Sequence, residues 1–443
     1  MHKKLVATLL CSSFGVFSLP ALADNLQSVY QLATQKDPVI QRAAASRDAA
    51  AARIDISRAN LLPSIGFSTS LTRADQRDWT FGDDRTTLSG GFRLDQSIYD
   101  RRNWQNLDIA EKQALQAQTF YNSAAQALIV RVTDAYFNVL KAKDDLTFIQ
   151  AEKRSIERQL EQTKQRFAVG LTAITDVHEA QAQFDNAVAR EIATENNLEI
   201  ALEQLREITG QYHSQLAGLN TDLFSTAPLS PAEPQQWLSI AEENNFELQA
   251  QRIGLEIARI DIDRARAGHL PTVGLEASIG SSKARGYDQN FIERGTGPRQ
   301  DNSSIGITVR VPIYSGGATN AGVNVAQANF VETSELVEQT YRSTVRQVRS
   351  SFNNVRALTS SIRALEQAVV SAESALKATE AGFEVGTRTI VDVLVSTRNL
   401  FDARRNLSRA RYDYILSVLD LKLAAGNLTE QDLADINRAL TLR

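Results

Sequence analysis

The chain has 443 residues, with 48 Lys and Arg against 52 Asp and Glu and a formal net charge of -4. That balance carries no basic bias toward nucleic acid, and one cysteine, Cys11, excludes a disulfide-stapled scaffold. Beyond residue 23 no stretch approaches the roughly 18 consecutive apolar residues of a membrane-spanning helix, which leaves soluble periplasmic, secreted or β-barrel destinations.

At the N-terminus Lys3 and Lys4 precede an apolar run from Leu5 to Leu19, followed by Ala21-Leu22-Ala23. This reads as a secretory signal peptide over residues 1–23, cut after Ala23 to leave Asp24 first and a net charge of about -6. Cys11 follows Leu10 rather than a small residue and sits inside the apolar run, which argues against a lipoprotein anchor.

The mature chain is one unit written twice. Leu62-Pro63-Ser64-Ile65-Gly66-Phe67 returns as Leu270-Pro271-Thr272-Val273-Gly274-Leu275, and Ile98-Tyr99 returns as Ile313-Tyr314. Phe167-x-Val169-Gly170 with Asp176-Val177 returns as Phe383-x-Val385-Gly386 with Asp392-Val393, and Gly210 returns as Gly426. Landmarks repeated in one order mark an internal duplication. It divides the chain into a first repeat (24–226), a linker (227–234) where Pro228, Pro231 and Pro234 cluster, a second repeat (235–426) and a C-terminal segment (427–443).

Each copy predicts the same elements. A helix (Leu26 to Asn60, interrupted at Asp37-Pro38, and Pro234 to Gly268) leads through a proline into two strands joined by a polar loop. A segment free of Gly and Pro follows, Arg101 to Val169 or Val323 to Ala381, ending in a Val-Gly turn. As a helix the first would be roughly 100 Å long. A second long helix, Thr172 to Thr209 or Thr387 to Ala425, returns from the turn, and Thr429-x-x-Asp432 predicts a short capped helix near the C-terminus.

Along the first long segment Leu128, Val132, Ala135, Val139, Ala142, Leu146, Ile149, Ile156, Leu160 and Phe167 keep a seven-residue repeat. Ile362, Leu365, Val369, Ala372, Leu376, Thr379 and Phe383 do so in the second. Such a seam implies side-by-side coiled-coil packing. The remaining faces are polar, as in a helical wall wetted on both sides, although a solid antiparallel bundle fits the pattern too.

The strands alternate. Val273, Leu275, Ala277 and Ile279 oppose Gly274, Glu276 and Ser278, while Ile305, Ile307, Val309, Val311 and Ile313 oppose Gly306, Thr308 and Arg310. Ile65, Phe67, Leu71, Leu88, Phe92 and Leu94 form the weaker first-copy counterpart. One apolar face over about 9 to 11 residues is a barrel-strand signature. Four strands cannot close a barrel, and a bilayer tolerates no open sheet edge. Closure then needs several copies, three giving twelve strands and a water-filled lumen. A water-soluble sheet packed on the helices is the alternative.

Enzyme motifs are incomplete. His178-Glu179 resembles the start of a zinc-protease motif, but Ala182 stands where the second histidine belongs, and His2, His213 and His269 have no ligand spacing. Gly295-x-Gly297 is followed by Pro298 and is no nucleotide loop. Neither an enzymatic activity nor a cofactor is expected.

The signal, the paired Leu-Pro strand entries, the long helices, Val169-Gly170, Ala173-Ile174-Thr175-Asp176-Val177 and Val385-Gly386-Thr387-Arg388-Thr389-Ile390-Val391-Asp392-Val393-Leu394 together resemble the TolC family of outer-membrane factors, the outer membrane efflux proteins. The resemblance covers essentially the whole mature chain. It implies a mainly α fold with membrane β: a homotrimeric twelve-stranded β-barrel in the outer membrane, continued by a long α-helical periplasmic barrel with a small equatorial domain. The implied function is an exit duct for drug efflux and type I secretion, opened by an inner-membrane RND pump or ABC exporter with a periplasmic adaptor. The rival from another class is a secreted coiled-coil structural or filament protein.

The resemblance also assigns a gate. Asp392 would form an acidic, cation-attracting ring, with like charges raising one another's pKa. Val395 stands where a second acidic residue is expected, which weakens the case for strong cation selectivity and tight metal plugging. Arg388 is expected to reach Thr175 or Asp176 in a neighbouring helix pair, and Phe383 replaces a tyrosine whose hydroxyl would add a tie. Gly170 and Gly386 mark helix-capping turns and the expected adaptor-docking tips, with Leu171 and Thr387 as crosslinking positions.

Overall fold

The computed structural model describes residues 24–76, 83–213, 215–221, 224–226, 228–287, 293–296 and 298–441. The expected signal segment with Cys11, Ala227 in the linker, Gly297, and the tips of both strand-connecting loops lie outside them. The first repeat runs α1 (Leu26–Lys36), α2 (Pro38–Ala59), β1 (Ser64–Gln76), β2 (Asp83–Tyr99), α3 (Arg101–Ala168), α4 (Ile174–Thr209) and β3 (Gly218–Leu219). The second runs α5 (Pro234–Asn244), α6 (Phe246–Arg266), β4 (Thr272–Tyr287), β5 (Glu293–Thr296), β6 (Gln300–Arg310), α7 (Ala318–Glu384) and α8 (Ile390–Ala425), followed by α9 (Glu430–Arg438) and β7 (Leu440–Thr441).

The duplication is visible in how helices break. Asp37 is extended and its carboxylate accepts from the Ile40 amide, while Pro38 opens α2 at a position where its missing N–H costs nothing. Asp37 is buried and pairs with Arg131 of α3 at 2.5 Å. The expected single helix over Pro234–Gly268 is instead broken at Asn245, whose side chain accepts from the Leu248 amide. Asn245 repeats the work of Asp37 without a proline to announce it. The long helix α7 also exceeds its expected Gly-free span, running through Gly322 and Gly382, since side-by-side packing outweighs the roughly 1 kcal/mol that a helical glycine costs.

The sheet order is β1-β2-β4-β6, all antiparallel, with β5 on the outer end of β4. Register places Ile65, Leu94, Ala277 and Ile305 in one cross-strand row, and Phe67, Phe92 and Ile279 in the next, with the Phe67 and Phe92 rings 5.0 Å apart. The opposite face carries the rows Gly66, Arg93, Ser278, Ser304 and Ser68, Gly91, Gly280, Asn302. There Arg93 bonds Asp95 at 2.9 Å and Glu276 at 3.0 Å. The apolar face is exposed in the chain: Ile305 is 78% and Ile65 71% accessible. The strands run longer than expected, 13, 17 and 16 residues for β1, β2 and β4. Strand β6 ends at Arg310, before Val311 and Ile313, because Pro312 lacks the N–H that pairing needs.

Below the sheet two helical hairpins, α3 with α4 and α7 with α8, lie side by side through the contact of α3 with α8. Most of the expected first seam is buried, from Leu128 to Leu160, although Leu146 is half-buried and Phe167, one residue from the helix end, is exposed. In α7 only Ile362 of the expected seam is fully buried; Leu365 to Phe383 are half-covered. Between α3 and α8 the contact is stitched by polar ties: Lys141 to Asp413 at 2.7 Å, Ser408 and Tyr412 to Asp144 at 2.6 and 2.9 Å, and Arg409 to Asp145. The fully buried Glu152 takes Arg190 of α4 at 2.7 Å and approaches Arg405 of α8 at 3.9 Å.

Between the sheet and the hairpin tips, Asp24 and the segments that carry β3 and β7 come together. Asp24 donates its backbone N–H to Gln215, accepts from Ala217, and holds the buried His213 ring through its carboxylate at 2.7 Å. Strands β3 and β7 pair, and α9 starts with the Thr429–Asp432 capping box expected from the sequence. Tyr136 and Phe137 are completely buried here, each contributing about 1.5–3 kcal/mol of apolar burial, and the Tyr136 hydroxyl donates to the Ala217 carbonyl at 2.7 Å.

Candidate functional site

The expected gate residues all lie at the far end of the hairpins, in two turns with one backbone design. Gly170 and Gly386 have φ of 76° and 79°. In each turn the glycine N–H bonds back to a phenylalanine carbonyl, Phe167 at 2.9 Å and Phe383 at 3.1 Å. The next residue bonds one position further back, Leu171 to Arg166 and Thr387 to Gly382, both at 2.8 Å. These paired bonds satisfy the carbonyls that a helix end leaves open. Val169, Leu171 and Val385 project into solvent at the tips.

The return helices begin later than Thr172 and Thr387, at Ile174 and Ile390, because Ala173 and Thr389 take the N-cap positions. Here the copies part. Thr389 and Asp392 form a reciprocal capping box, with Asp392 accepting from the Thr389 amide at 2.9 Å and from its hydroxyl at 3.0 Å. Ala173 offers no side-chain cap, and Asp176 accepts instead from the Thr172 hydroxyl. The two Thr389 bonds, with a smaller contribution from the nearby Arg388 charge, hold the Asp392 carboxyl below the usual range. Within one chain the cap governs this carboxyl.

Arg388 is exposed and, among the described residues, makes no ion pair and no hydrogen bond to Thr175 or Asp176 within the chain. Its stem lies against Gly382, where an added Cβ would stand 2.7 Å from the Arg388 Cγ. The Gly382 carbonyl accepts from the amides of Thr387 and Arg388 and from the Thr387 hydroxyl. Gly382 therefore seats Arg388. Val395 is 40% exposed on α8, one helical turn from Asp392.

Phe383 is not bare of polar company. It packs on a tip cluster of Ile156 and Leu160 from α3, Ala180 and Ala187 from α4, and Ile390, Val393 and Leu394 from α8. The Arg166 guanidinium lies over its ring, 4.6 Å from the centroid, a cation–π contact between the two hairpins. Sequence reasoning missed Arg166. The signal was present, since aligning the copies at Phe167 and Phe383 sets Arg166 opposite Gly382. One aligned position thus carries a cation in the first copy and room for a cation in the second.

Among the described residues no group of three or more His, Cys, Asp and Glu side chains could hold a metal ion, and no helix is long and apolar enough to cross a membrane. The sheet has one apolar and one polar face, and the 68-residue α3 is roughly 100 Å long.

A family model described as outer membrane efflux protein matches residues 29–211 and again 237–427. The outer membrane protein TolC of Vibrio cholerae serotype O1 is 45% identical over 441 residues, covering 99% of either chain. The alkaline protease secretion protein AprF of Pseudomonas aeruginosa is 32% identical over 438 residues, covering 95% of this chain and 89% of that protein. Among solved structures, the Campylobacter jejuni CmeC outer membrane channel superposes with a TM-score of 0.76 at 18% identity, over 95% of this chain and 90% of that one.

Proposed function

Since the chain belongs to the outer membrane efflux protein family, we infer that it forms an outer-membrane exit duct, serving both drug efflux and type I protein secretion. The protein resides in the outer membrane and extends into the periplasm. The observation that carries this reading is the four-stranded sheet, apolar on one face and polar on the other, whose two edge strands have no outer partner among the described residues and which stands on long paired helices. Backbone groups at a sheet edge cannot stay unpaired in hydrocarbon. Three copies close twelve strands around a lumen lined by the Arg93, Ser278 and Ser304 face, and the same three copies close the hairpins into a tube.

The tips form the gate. Arg388 of one hairpin ties to Thr175 or Asp176 of the neighbouring copy's hairpin, and the planar guanidinium suits that bridge. Asp392 supplies a single acidic ring and Val395 an apolar neighbour to it, so polyvalent cations plug this entrance weakly. A periplasmic adaptor docks on the turns at Gly170 and Gly386 and an inner-membrane pump, RND or ABC type, drives opening. Transport energy comes from that pump.

The test is fractionation followed by mass measurement in detergent. A detergent-stable oligomer of three chains in the outer-membrane fraction is expected. A soluble assembly that needs no detergent would return the chain to the secreted coiled-coil reading.

A further inference from the structure

The side-by-side order of the hairpin helices is α4, α3, α8, α7, which leaves α4 and α7 as the two edges. Sheet and wall end on matching sides, because β2 feeds α3 and the free edge strand β6 feeds α7. A second copy that pairs with β6 therefore brings its α4 against α7.

The two edges carry opposite charge. On α7, Arg349, Arg356 and Arg363 recur every seven residues, each directly after a seam residue, Val348, Val355 or Ile362, and so line one flank. All three are exposed, and none makes an ion pair among the described residues. On α4, Glu195, Glu199 and Glu203 follow at four-residue steps and are all exposed, along the rim of the face that buries Ala187, Ala201, Leu202 and Leu205. Glu195 has no partner among the described residues. Glu199 accepts only from the Tyr212 hydroxyl at 3.3 Å, and Glu203 meets Arg206 of its own helix at 3.3 Å. Ile192 and Ile200 are exposed beside these glutamates, and Ser350, Ala357 and Ala364 leave the facing side of α7 shallow.

The charges also match in height. The shared tip cluster and the Arg166–Phe383 contact hold the two turns level. At 1.5 Å per residue, Arg363 and Glu195 each stand roughly 32 Å from their turns, and Arg356, at roughly 42 Å, falls between Glu199 and Glu203 at roughly 38 and 44 Å.

We propose that the junction between copies is an electrostatic seam in which Arg356 and Arg363 on α7 of one chain meet Glu195, Glu199 and Glu203 on α4 of the next. The seam favours one vertical register of neighbouring chains, because a slip of one helical turn in either direction takes one arginine off the carboxylates, Arg363 to the height of Ile192 or Arg356 to that of Arg206. Several pairs acting together give register where a single exposed pair would give little. The partner is a second copy of this chain, so the proposal rests on the multi-copy duct.

Cys11 is the only native cysteine, which makes crosslinking clean. The full-length double variant Glu199→Cys with Arg356→Cys, treated with a short bismaleimide in outer membranes, is expected to run as covalent dimers and trimers in denaturing gels, while each single variant stays monomeric. In parallel, Arg356→Glu with Arg363→Glu is expected to lose the detergent-stable trimer on mild heating. Adding Glu195→Arg with Glu199→Arg is expected to restore it, a rescue that a folding defect would not show. A native trimer that forms no crosslinks and ignores the charge reversals overturns the seam and leaves the duct standing. A wild-type chain that is monomeric in detergent overturns both.

Discussion

The two hairpin turns share one backbone and differ in what their side chains are free to do. In the α7–α8 turn, Asp392 is committed to the Thr389 cap and Gly382 makes room for Arg388. In the α3–α4 turn, Ala173 cannot cap and the Asp176 carboxylate accepts from the Thr172 hydroxyl, while Arg166 reaches across to the other hairpin. The second copy therefore presents a seated cation and the first an available carboxylate.

The largest effect should fall on what the turns share. Gly170→Ala and Gly386→Ala each place a Cβ in the left-handed region and should cost about 1–2 kcal/mol, read as faster amide exchange at the affected tip. Similar losses at both turns support the common backbone; a loss at one alone breaks the comparison.

Next comes the cap. Thr389→Ala should destabilise the start of α8 by about 1 kcal/mol, and Ala173→Thr should stabilise the start of α4 by a similar amount. If Ala173→Thr also draws Asp176 into a capping box, conductance through the assembled channel should rise, because the carboxylate proposed to hold Arg388 would be occupied.

The Arg166 contact is smaller. Arg166→Ala should cost about 0.5–1 kcal/mol, with Arg166→Lys retaining part of it, and the losses from Arg166→Ala and Phe383→Leu should not add in a double-mutant cycle. Additive losses would show that the ring and the guanidinium do not interact.

Smallest is the response to acid. The folded Asp392 carboxyl titrates below its usual range, so the stability it lends is complete above the unfolded chain's carboxylate pKa and is lost as pH falls through the lowered folded value. A carbon-13 titration of the aspartate carboxyls should find Asp392 among the last to protonate on acidification. Protonation in the ordinary carboxylate range would show that the cap does not hold it.

Much of this architecture was legible in periodicity. The seven-residue seam of α3, the alternation from Val273 to Ile279 and the two Val-Gly turns each obey a local rule that the fold keeps, whereas of the α7 seam only Ile362 is fully buried. Asn245 was not legible, because without a proline an Asn-Asn pair in a helical pattern looks like an ordinary exposed surface. Strands β3 and β7 were missed because pairing of two residues at the equator is decided by tertiary contact alone. At the tips, Thr389 with Asp392 is a cap signature in the sequence, whereas the resemblance to a channel family bears on the charge of Asp392 and not on its hydrogen bonds. Arg166 needed a three-dimensional neighbour, Phe383, far away in the chain.

The most direct measurement is single-channel conductance of the purified protein in planar bilayers, wild type beside Arg388→Ser. Discrete steps of low conductance are expected for the wild type, with a several-fold rise once the proposed Arg388 tie between neighbouring hairpins is removed. Absence of channel steps from a native three-chain oligomer, or an Arg388→Ser variant as tightly closed as the wild type, would contradict this expectation.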